Sequence, residues 1–145
     1  KDPDFQTKEV AQVKRMHHLL RSSGAPFCLM CPPAPLLKKQ WRSPNAVISP
    51  HEYGQYLNVS HIHPTYSVVP DRDAYIKKTY CYVGNGFVLP QRKPVKPHVE
   101  TVHRKGVTKK VSPLLVRRKD KHVKHLTPLG LTVAVAEQHN KNLNT

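Results

Sequence analysis

The sequence predicts a mostly irregular and extended chain with short α-helices and a β-hairpin, ordered by its assembly with other molecules rather than folded as a compact domain. Fourteen of the 145 residues are proline, about twice the usual share, and each proline removes a backbone hydrogen-bond donor. Only 38% of the residues are hydrophobic and 7% aromatic, which leaves little material for a core. The formal net charge of +15 makes a compact form repel itself.

Residues 1–24 are predicted to form an N-terminal helix. Apolar residues recur there at spacings of three and four, as on one side of an amphipathic helix; they are Val10, Val13, Met16, Leu19 and Leu20. Asp4 or Thr7 can cap the start of this helix, and Gly24 followed by Pro26 is a normal stop. Because an isolated helix of this length is marginal in water, we expect it to pack on something else.

Residues 25–48 are predicted to be a proline-rich extended segment. Five prolines interrupt it, namely Pro26, Pro32, Pro33, Pro35 and Pro44. The run Pro32-Pro33-Ala34-Pro35 favours the polyproline II conformation. Regular structure is therefore not expected over any useful length.

Residues 49–89 are predicted to hold a short helix and a β-hairpin. The sequence Ser49-Pro50-His51-Glu52 is a capping box with proline at the first helical position, and it starts a helix that runs to about Leu57. Residues 61–78 indicate a loop with one turn near Asp71. Strands over 79–83 and 87–89 flank Gly84-Asn85-Gly86, and Asn-Gly between such residues predicts a type I′ hairpin turn.

Residues 90–145 are predicted to be a basic, proline-rich extension that ends in a strand. Twelve basic residues and two acidic ones lie within 91–125. Ser112-Pro113 can cap a basic helix through about Leu126, although the valines there also suit a strand. Alternation of Leu131, Val133 and Val135 predicts a strand over 129–136, followed by a polar tail from Asn140 to Thr145.

The excess of basic residues indicates a polyanionic partner. Neutralised phosphates release their condensed counterions, and this drives nucleic-acid binding without reading sequence. The alternatives are a solvated basic surface and a polybasic membrane-surface segment. The candidate RNA-binding residues are Arg92, Lys93, Lys96, Arg104, Lys105, Lys109, Lys110, Arg117, Arg118, Lys119, Lys121 and Lys124. Trp41, beside Lys38, Lys39 and Arg42, is a further candidate for stacking on a base, with packing as its other interpretation.

No pattern of catalytic residues is present, so the chain is not expected to be an enzyme or to bind a small-molecule substrate. Asp71 and Asp73 are a closely spaced pair of acids, and a local salt bridge explains them better than acid–base chemistry does. A phosphate-binding glycine loop and a G-x-S-x-G motif are both missing from the sequence. The apolar runs fall short of the roughly 20 residues that span a bilayer, so no membrane partner is expected.

One short motif could hold a metal ion. Cys28 and Cys31 form a C-x₂-C pair, the spacing of two thiolates on one zinc. A second pair is absent, and only Cys81, His61 and His63 offer further ligands. We therefore expect no cofactor, with zinc at Cys28 and Cys31 as the alternative. An odd number of cysteines also argues against a closed disulfide framework and fits a reducing compartment.

The whole chain resembles mitochondrial ribosomal proteins as a class. The resemblance lies in the proline-broken basic run Gln91–Leu126, the extended stretch Cys31–Pro44 and the start at Lys1 instead of Met. It implies a structural constituent of a ribosome in the mitochondrial matrix, bound to rRNA backbone and to neighbouring ribosomal proteins. Two other interpretations stay open: a structural subunit of an axonemal or respiratory complex, and a small zinc-dependent or redox factor.

Overall fold

The computed structural model describes residues 3–112 and 125–144, and its elements group into two units. Unit 1 holds the described residues of Lys1–Ile48 together with Lys78–Val88. Unit 2 holds those of Ser49–Lys77 and Leu89–Thr145. The described elements are a few helices and two small antiparallel sheets, which is consistent with a mixed fold that is not strongly compact. That the chain is ordered by its assembly stays a prediction.

The predicted N-terminal helix is present as α1, which spans Pro3–Ser22. Val10 is buried and Val13 is half-buried on its inner side. The prediction was wrong for Met16 and Leu19, whose side chains are 53% and 60% exposed. These two residues lie beside the buried stripe of α1 and leave an apolar strip at the surface.

The segment 25–48, predicted to be extended, contains regular elements. They are β1 (Phe27–Cys31), α2 (Pro35–Gln40) and β2 (Ala46–Ile48). The prolines fall between these elements or at the start of α2, where Pro35 has no hydrogen bond to lose. The extended prediction was therefore wrong in extent, because the prolines set the borders of short elements instead of preventing them.

The predicted hairpin of residues 79–89 is also wrong in part. Strand β3 spans Thr79–Gly84, but residues 87–89 form no strand, and β3 pairs instead with β1 and β2 in the order β1-β3-β2, antiparallel on both sides. The turn itself forms, since Asn85 and Gly86 have φ values of 54° and 79°. The Asn85 side chain donates to the carbonyls of Leu20, Arg21 and Ala25, which directs the turn toward the end of α1 rather than back along β3.

The core of unit 1 lies on one face of this sheet. Tyr80 and Tyr82 of β3 pack with Val10 of α1 and Leu37 of α2. These aromatic residues alternate along the strand, so both point to the same side. Packing on the aromatic face of β3 thus stabilises α1, which would be marginal as an isolated helix.

Unit 2 starts at the predicted capping box. The Ser49 N–H donates to the Glu52 carboxylate at 2.6 Å, and the Ser49 side chain accepts the Glu52 N–H. The helix that follows is a 3₁₀ helix over Pro50–Tyr56, which confirms the predicted short helix. A further 3₁₀ turn at Asp71–Asp73 confirms the turn expected there.

The predicted C-terminal strand is wrong: residues Leu129–Leu143 form the helix α3, which also includes most of the predicted polar tail. Gly130, Leu131 and Ala134 are the buried residues of α3. Their spacing is helical, and a Cβ on Gly130 would lie 2.5 Å from the Tyr53 carbonyl oxygen, so α3 packs closely on the 3₁₀ helix Pro50–Tyr56. The alternation of Leu131, Val133 and Val135 is too short to determine a strand, and packing on the 3₁₀ helix favours the α-helix instead.

A hairpin that the sequence did not predict occupies the basic extension. It consists of β4 (Glu100–Arg104) and β5 (Val107–Val111), antiparallel to one another. Lys105 and Gly106 form its turn, with φ values of 49° and 73°. The basic helix predicted from Ser112-Pro113 lies almost wholly in 113–124, outside the described residues.

Candidate nucleic-acid interface

The hairpin β4–β5, residues 100–111, is here called the basic ribbon. Its sequence holds four basic residues, Arg104, Lys105, Lys109 and Lys110, against the single acid Glu100. Lys105 and the first four residues of β5 are all exposed. The ribbon thus combines a concentrated positive charge with a surface that the described protein leaves open to solvent.

The register of the basic ribbon places lysines on both of its faces. Lys109 lies opposite Val102, and Lys110 lies opposite Thr101. Because neighbouring residues of a strand point to opposite faces, the two lysines project to opposite sides. On the Lys110 side, His103 and Thr108 join the strands by a side-chain hydrogen bond of 2.8 Å. The ribbon is therefore able to meet negative charge on either side.

Hydrogen bonds next to both strands fix the base of the basic ribbon to the rest of unit 2. On the side of β4, the His98 N–H donates to the Ala74 carbonyl at 2.8 Å. On the side of β5, the Ser112 hydroxyl accepts the Ile76 N–H at 2.6 Å and donates to the His98 carbonyl at 3.4 Å. Ser112 is only 1% exposed. No sequence pattern marks this serine as the anchor of the ribbon.

The segment that leads to the ribbon is extended, as predicted, but it follows the 3₁₀ helix Pro50–Tyr56 closely. The Lys93 N–H donates to the Glu52 carbonyl at 2.9 Å, and the Val95 N–H donates to the His51 carbonyl at 2.8 Å. The Gln55 side chain donates to the Pro94 carbonyl at 2.7 Å. The Gln55 N–H also donates to the Lys93 carbonyl at 3.0 Å, so both N–H and carbonyl groups of the segment bond to the helix.

Two of the predicted RNA-binding residues are engaged within unit 2. Arg92 forms an ion pair of 2.8 Å with Glu52, and the Lys93 ammonium lies 4.5 Å from the centre of the Tyr56 ring. Lys96 is exposed, as Arg92 and Lys93 also are despite these contacts. Arg92 and Lys93 therefore stabilise the approach to the ribbon, a role that charge density alone does not reveal.

The remaining candidates divide into two groups. The structure brings Lys105, Lys109 and Lys110 together on one hairpin, with Arg104 on its first strand. The other five lie outside the described residues and are Arg117, Arg118, Lys119, Lys121 and Lys124. The described part of the predicted RNA-binding set is consequently the basic ribbon with Lys96 near its base.

Trp41 lies in unit 1 and packs against its neighbours. Its ring centroid is 4.6 Å from that of Tyr82 and 5.0 Å from that of His17. The Arg42 guanidinium lies 5.0 Å from the Trp41 ring and bonds to the His17 Nε2 at 3.0 Å. Burial, and then the charge of Arg42, lower the pKa of His17. These contacts support the packing interpretation of Trp41, while base stacking stays an untested prediction.

The two cysteines of the C-x₂-C motif lie on β1 and point to opposite faces of the sheet. Cys28 pairs with Val83 and Cys31 with Tyr80, an odd spacing that sends the two thiols to opposite faces of the sheet. Burial raises the pKa of Cys31. Among the described residues, no group of three His, Cys, Asp or Glu side chains has the arrangement of a metal site. Within β1 the two thiols therefore do not face a common position.

No helix within 3–112 and 125–144 is both long and apolar enough to cross a membrane.

Searches against protein-family models, curated proteins and solved structures found no match to the chain.

Proposed function

We propose that this chain is a non-catalytic structural protein of a ribosome, in mitochondria as the sequence resemblance implies, and that it holds rRNA backbone with the basic ribbon. The observation that carries the proposal is the ribbon itself. It is a two-stranded hairpin with exposed lysines on both faces and a base fixed by His98 and Ser112.

Such a ribbon has little to stabilise it in water. A two-stranded hairpin is marginal by itself, because it buries little apolar surface. Its side chains from 105 to 110 are exposed, and its lysines repel one another. A bound RNA backbone stabilises the ribbon, since its phosphates neutralise the lysines and the RNA covers the strands. In this proposal the ribbon is therefore ordered by its partner.

The lysines on opposite faces favour a position between two stretches of RNA backbone. A β-ribbon fits the major groove of B-form DNA, but the major groove of A-form RNA is too narrow for side chains to read. On RNA the ribbon therefore contacts phosphates, which position a protein without specifying sequence. Lys109 on one face and Lys110 on the other then bridge neighbouring RNA segments.

Neighbouring ribosomal proteins are the second class of partner in this proposal. The exposed apolar strip of α1, formed by Met16 and Leu19 beside the buried stripe, suits a protein contact better than an RNA contact. The chain then acts as a connector, with an apolar contact in unit 1 and a basic contact in unit 2.

The proposal is tested by the salt dependence of RNA binding. In K105Q/K109Q/K110Q, the slope of log K against log salt concentration is expected to shrink by about 2, because each lost phosphate contact removes about 0.7 to 0.9. The matched control is K8Q/K14Q/R15Q, which removes the same charge from exposed positions of α1. The control is expected to change the slope by less than half as much.

Equal slopes for the two triple variants would reject the ribbon as the RNA contact and leave only a general charge effect. A wild-type chain that binds no RNA at low salt would reject the ribosomal role altogether. In that case a structural subunit of an axonemal or respiratory complex, held by protein contacts alone, becomes the better interpretation.

A further inference from the structure

The sheet of unit 1 brings two cysteines together that lie far apart in sequence. Cys28 is opposite Val83, and Cys81 is opposite Met30. The two cysteines are therefore diagonal neighbours on adjacent antiparallel strands, and they point to the same face of the sheet. Cys31 points to the other face, where Tyr80 and Tyr82 pack.

The two thiols interact with one another. A side-chain hydrogen bond joins Cys28 to Cys81, and it lowers the pKa of Cys28 although burial acts in the opposite direction. Cys28 is partly exposed, whereas Cys81 is completely buried. A small oxidant therefore meets Cys28 first, and the thiolate form that reacts is favoured at that residue.

We propose that Cys28 and Cys81 are a redox-active pair, in which a hydroperoxide oxidises Cys28 and Cys81 then closes a disulfide between β1 and β3. The proposal stands on the register of unit 1 and does not depend on the ribosomal role. It assigns to the C-x₂-C motif a different partner from the one that its spacing suggests.

The chemistry takes two steps and one equivalent of peroxide. The Cys28 thiol releases its proton, and the thiolate attacks one peroxide oxygen, so that an S–O bond forms and the O–O bond breaks. The hydroxide (or alkoxide) that leaves takes up a proton and becomes water (or an alcohol). The Cys81 sulfur then attacks the sulfur of the Cys28 sulfenic acid. An S–S bond forms, the S–O bond breaks, and a second water carries away the Cys81 proton. Two thiols lose two electrons in total, and the peroxide gains them.

Cys31 is an internal control. It lies three residues from Cys28 on the same strand, but on the opposite face, and burial raises its pKa. In an unfolded chain the short distance along the sequence favours a Cys28–Cys31 bond, because loop closure costs less for a short loop. The folded sheet reverses this preference, so the partner that Cys28 selects reports on the native register.

The experiment maps disulfides in the full wild-type chain after treatment with one equivalent of hydrogen peroxide, alone and with RNA bound. Remaining thiols are alkylated, and the peptides are identified by mass spectrometry. We expect a linked pair of peptides that contain Cys28 and Cys81, with Cys31 alkylated. The same treatment in urea is expected to shift the major product to Cys28–Cys31.

Variants separate the two steps. C81S is expected to stop at the sulfenic acid of Cys28, which dimedone traps, and C31S is expected to form the same disulfide as the wild type. A native Cys28–Cys31 bond as the main product overturns the proposal. So do disulfides that form only between molecules, or three alkylated thiols at a peroxide dose that oxidises glutathione. The wild-type map decides the matter even if a variant fails to fold.

Discussion

The buried carboxylate of Asp73 accepts the backbone N–H of Gly130 at 2.9 Å, and the Leu129 N–H also donates to it. These are among the first amides of α3, which have no partner within their own helix. Asp73 therefore caps α3 from 57 residues away in the sequence. Its backbone has φ of 52°, and the preceding Arg72 has φ of 56°, an unusual pair of left-handed residues that aims the carboxylate at the helix.

Replacement of Asp73 by alanine is expected to loosen the start of α3. Loss of a capping side chain costs about 1 kcal/mol, and the buried amides left behind add to that cost. Hydrogen exchange of the α3 amides should accelerate by at least about 10-fold, while the amides of β3 in unit 1 keep their rates. Unchanged exchange in α3 would show that Asp73 does not hold this helix.

The same carboxylate makes the stability of unit 2 depend on pH. Burial is the main cause that raises the pKa of Asp73 above its ordinary value of 3.8. The folded form thus binds this proton more tightly than the unfolded form, so its stabilising contribution is complete below pH 3.8 and is lost as the pH rises through the folded pKa. D73N, which does not titrate, should lack this fall in the free energy of unfolding. Urea titrations of both proteins between pH 3 and 7 measure it, and parallel pH profiles would contradict it.

Gly130 is expected to resist replacement even by alanine, although alanine is the better helix former. A Cβ at this position would lie 2.5 Å from the Tyr53 carbonyl oxygen, which belongs to backbone and has little freedom to shift. G130A should lower the free energy of unfolding by about 1–3 kcal/mol, the usual cost of overpacking. Thermal or urea unfolding measures the change. A gain in stability of the size that helix propensity predicts would show that α3 does not pack so closely on the 3₁₀ helix.

Asn85 has two separable roles, which two substitutions distinguish. Its side chain donates to carbonyls at the end of α1, and its backbone has φ of 54°. N85G keeps the backbone freedom and loses only the hydrogen bonds, at about 1–2 kcal/mol. N85A loses both and should cost about 1 kcal/mol more, because a left-handed alanine is strained. Equal losses in urea unfolding would show that the turn is not strained at this residue.

Ser112→Ala tests the anchor of the basic ribbon. The change leaves the partly buried Ile76 N–H without its acceptor, which costs about 1 kcal/mol. Because all lysines remain, RNA affinity should fall by about 10-fold while the salt slope stays that of the wild type. Binding titrations at several salt concentrations give both quantities. A reduced slope would mean that Ser112 affects the phosphate contacts themselves.

The parts of the fold that were predictable from sequence depend on local signals. The stop of α1, the capping box at Ser49 and the turn at Asn85-Gly86 each arise within a few residues. The caps predicted for α1 at Asp4 or Thr7 were wrong, because both residues lie inside the helix. By contrast, β3 pairs with strands that precede it by dozens of residues, and the strength of those pairings outweighed the local hairpin pattern at Phe87. α3 was misjudged for the same reason, since Tyr53 and Asp73 determine its position.

The sequence predicted the positive charge of the candidate interface but not its hairpin structure. Charge density located the region of Lys105, Lys109 and Lys110, but it could not distinguish Arg92, which is paired with Glu52. Strand β5 could not be predicted because alternation of apolar and polar residues is the usual signal of a strand, and lysine and threonine fill its middle positions. The pairing of Cys28 with Cys81 likewise requires the register of β1 and β3.

The order of the strands has a consequence for how the protein is made. β1 and β2 do not pair with each other; both pair with β3, which is synthesised last of the three. Until Thr79–Gly84 has left the translating ribosome, the two earlier strands have no hydrogen-bonded neighbour in this sheet. Unit 1 is therefore completed only after the first stretch of unit 2 has been synthesised, and a nascent chain stopped before residue 79 exposes the edges of β1 and β2 to other chains.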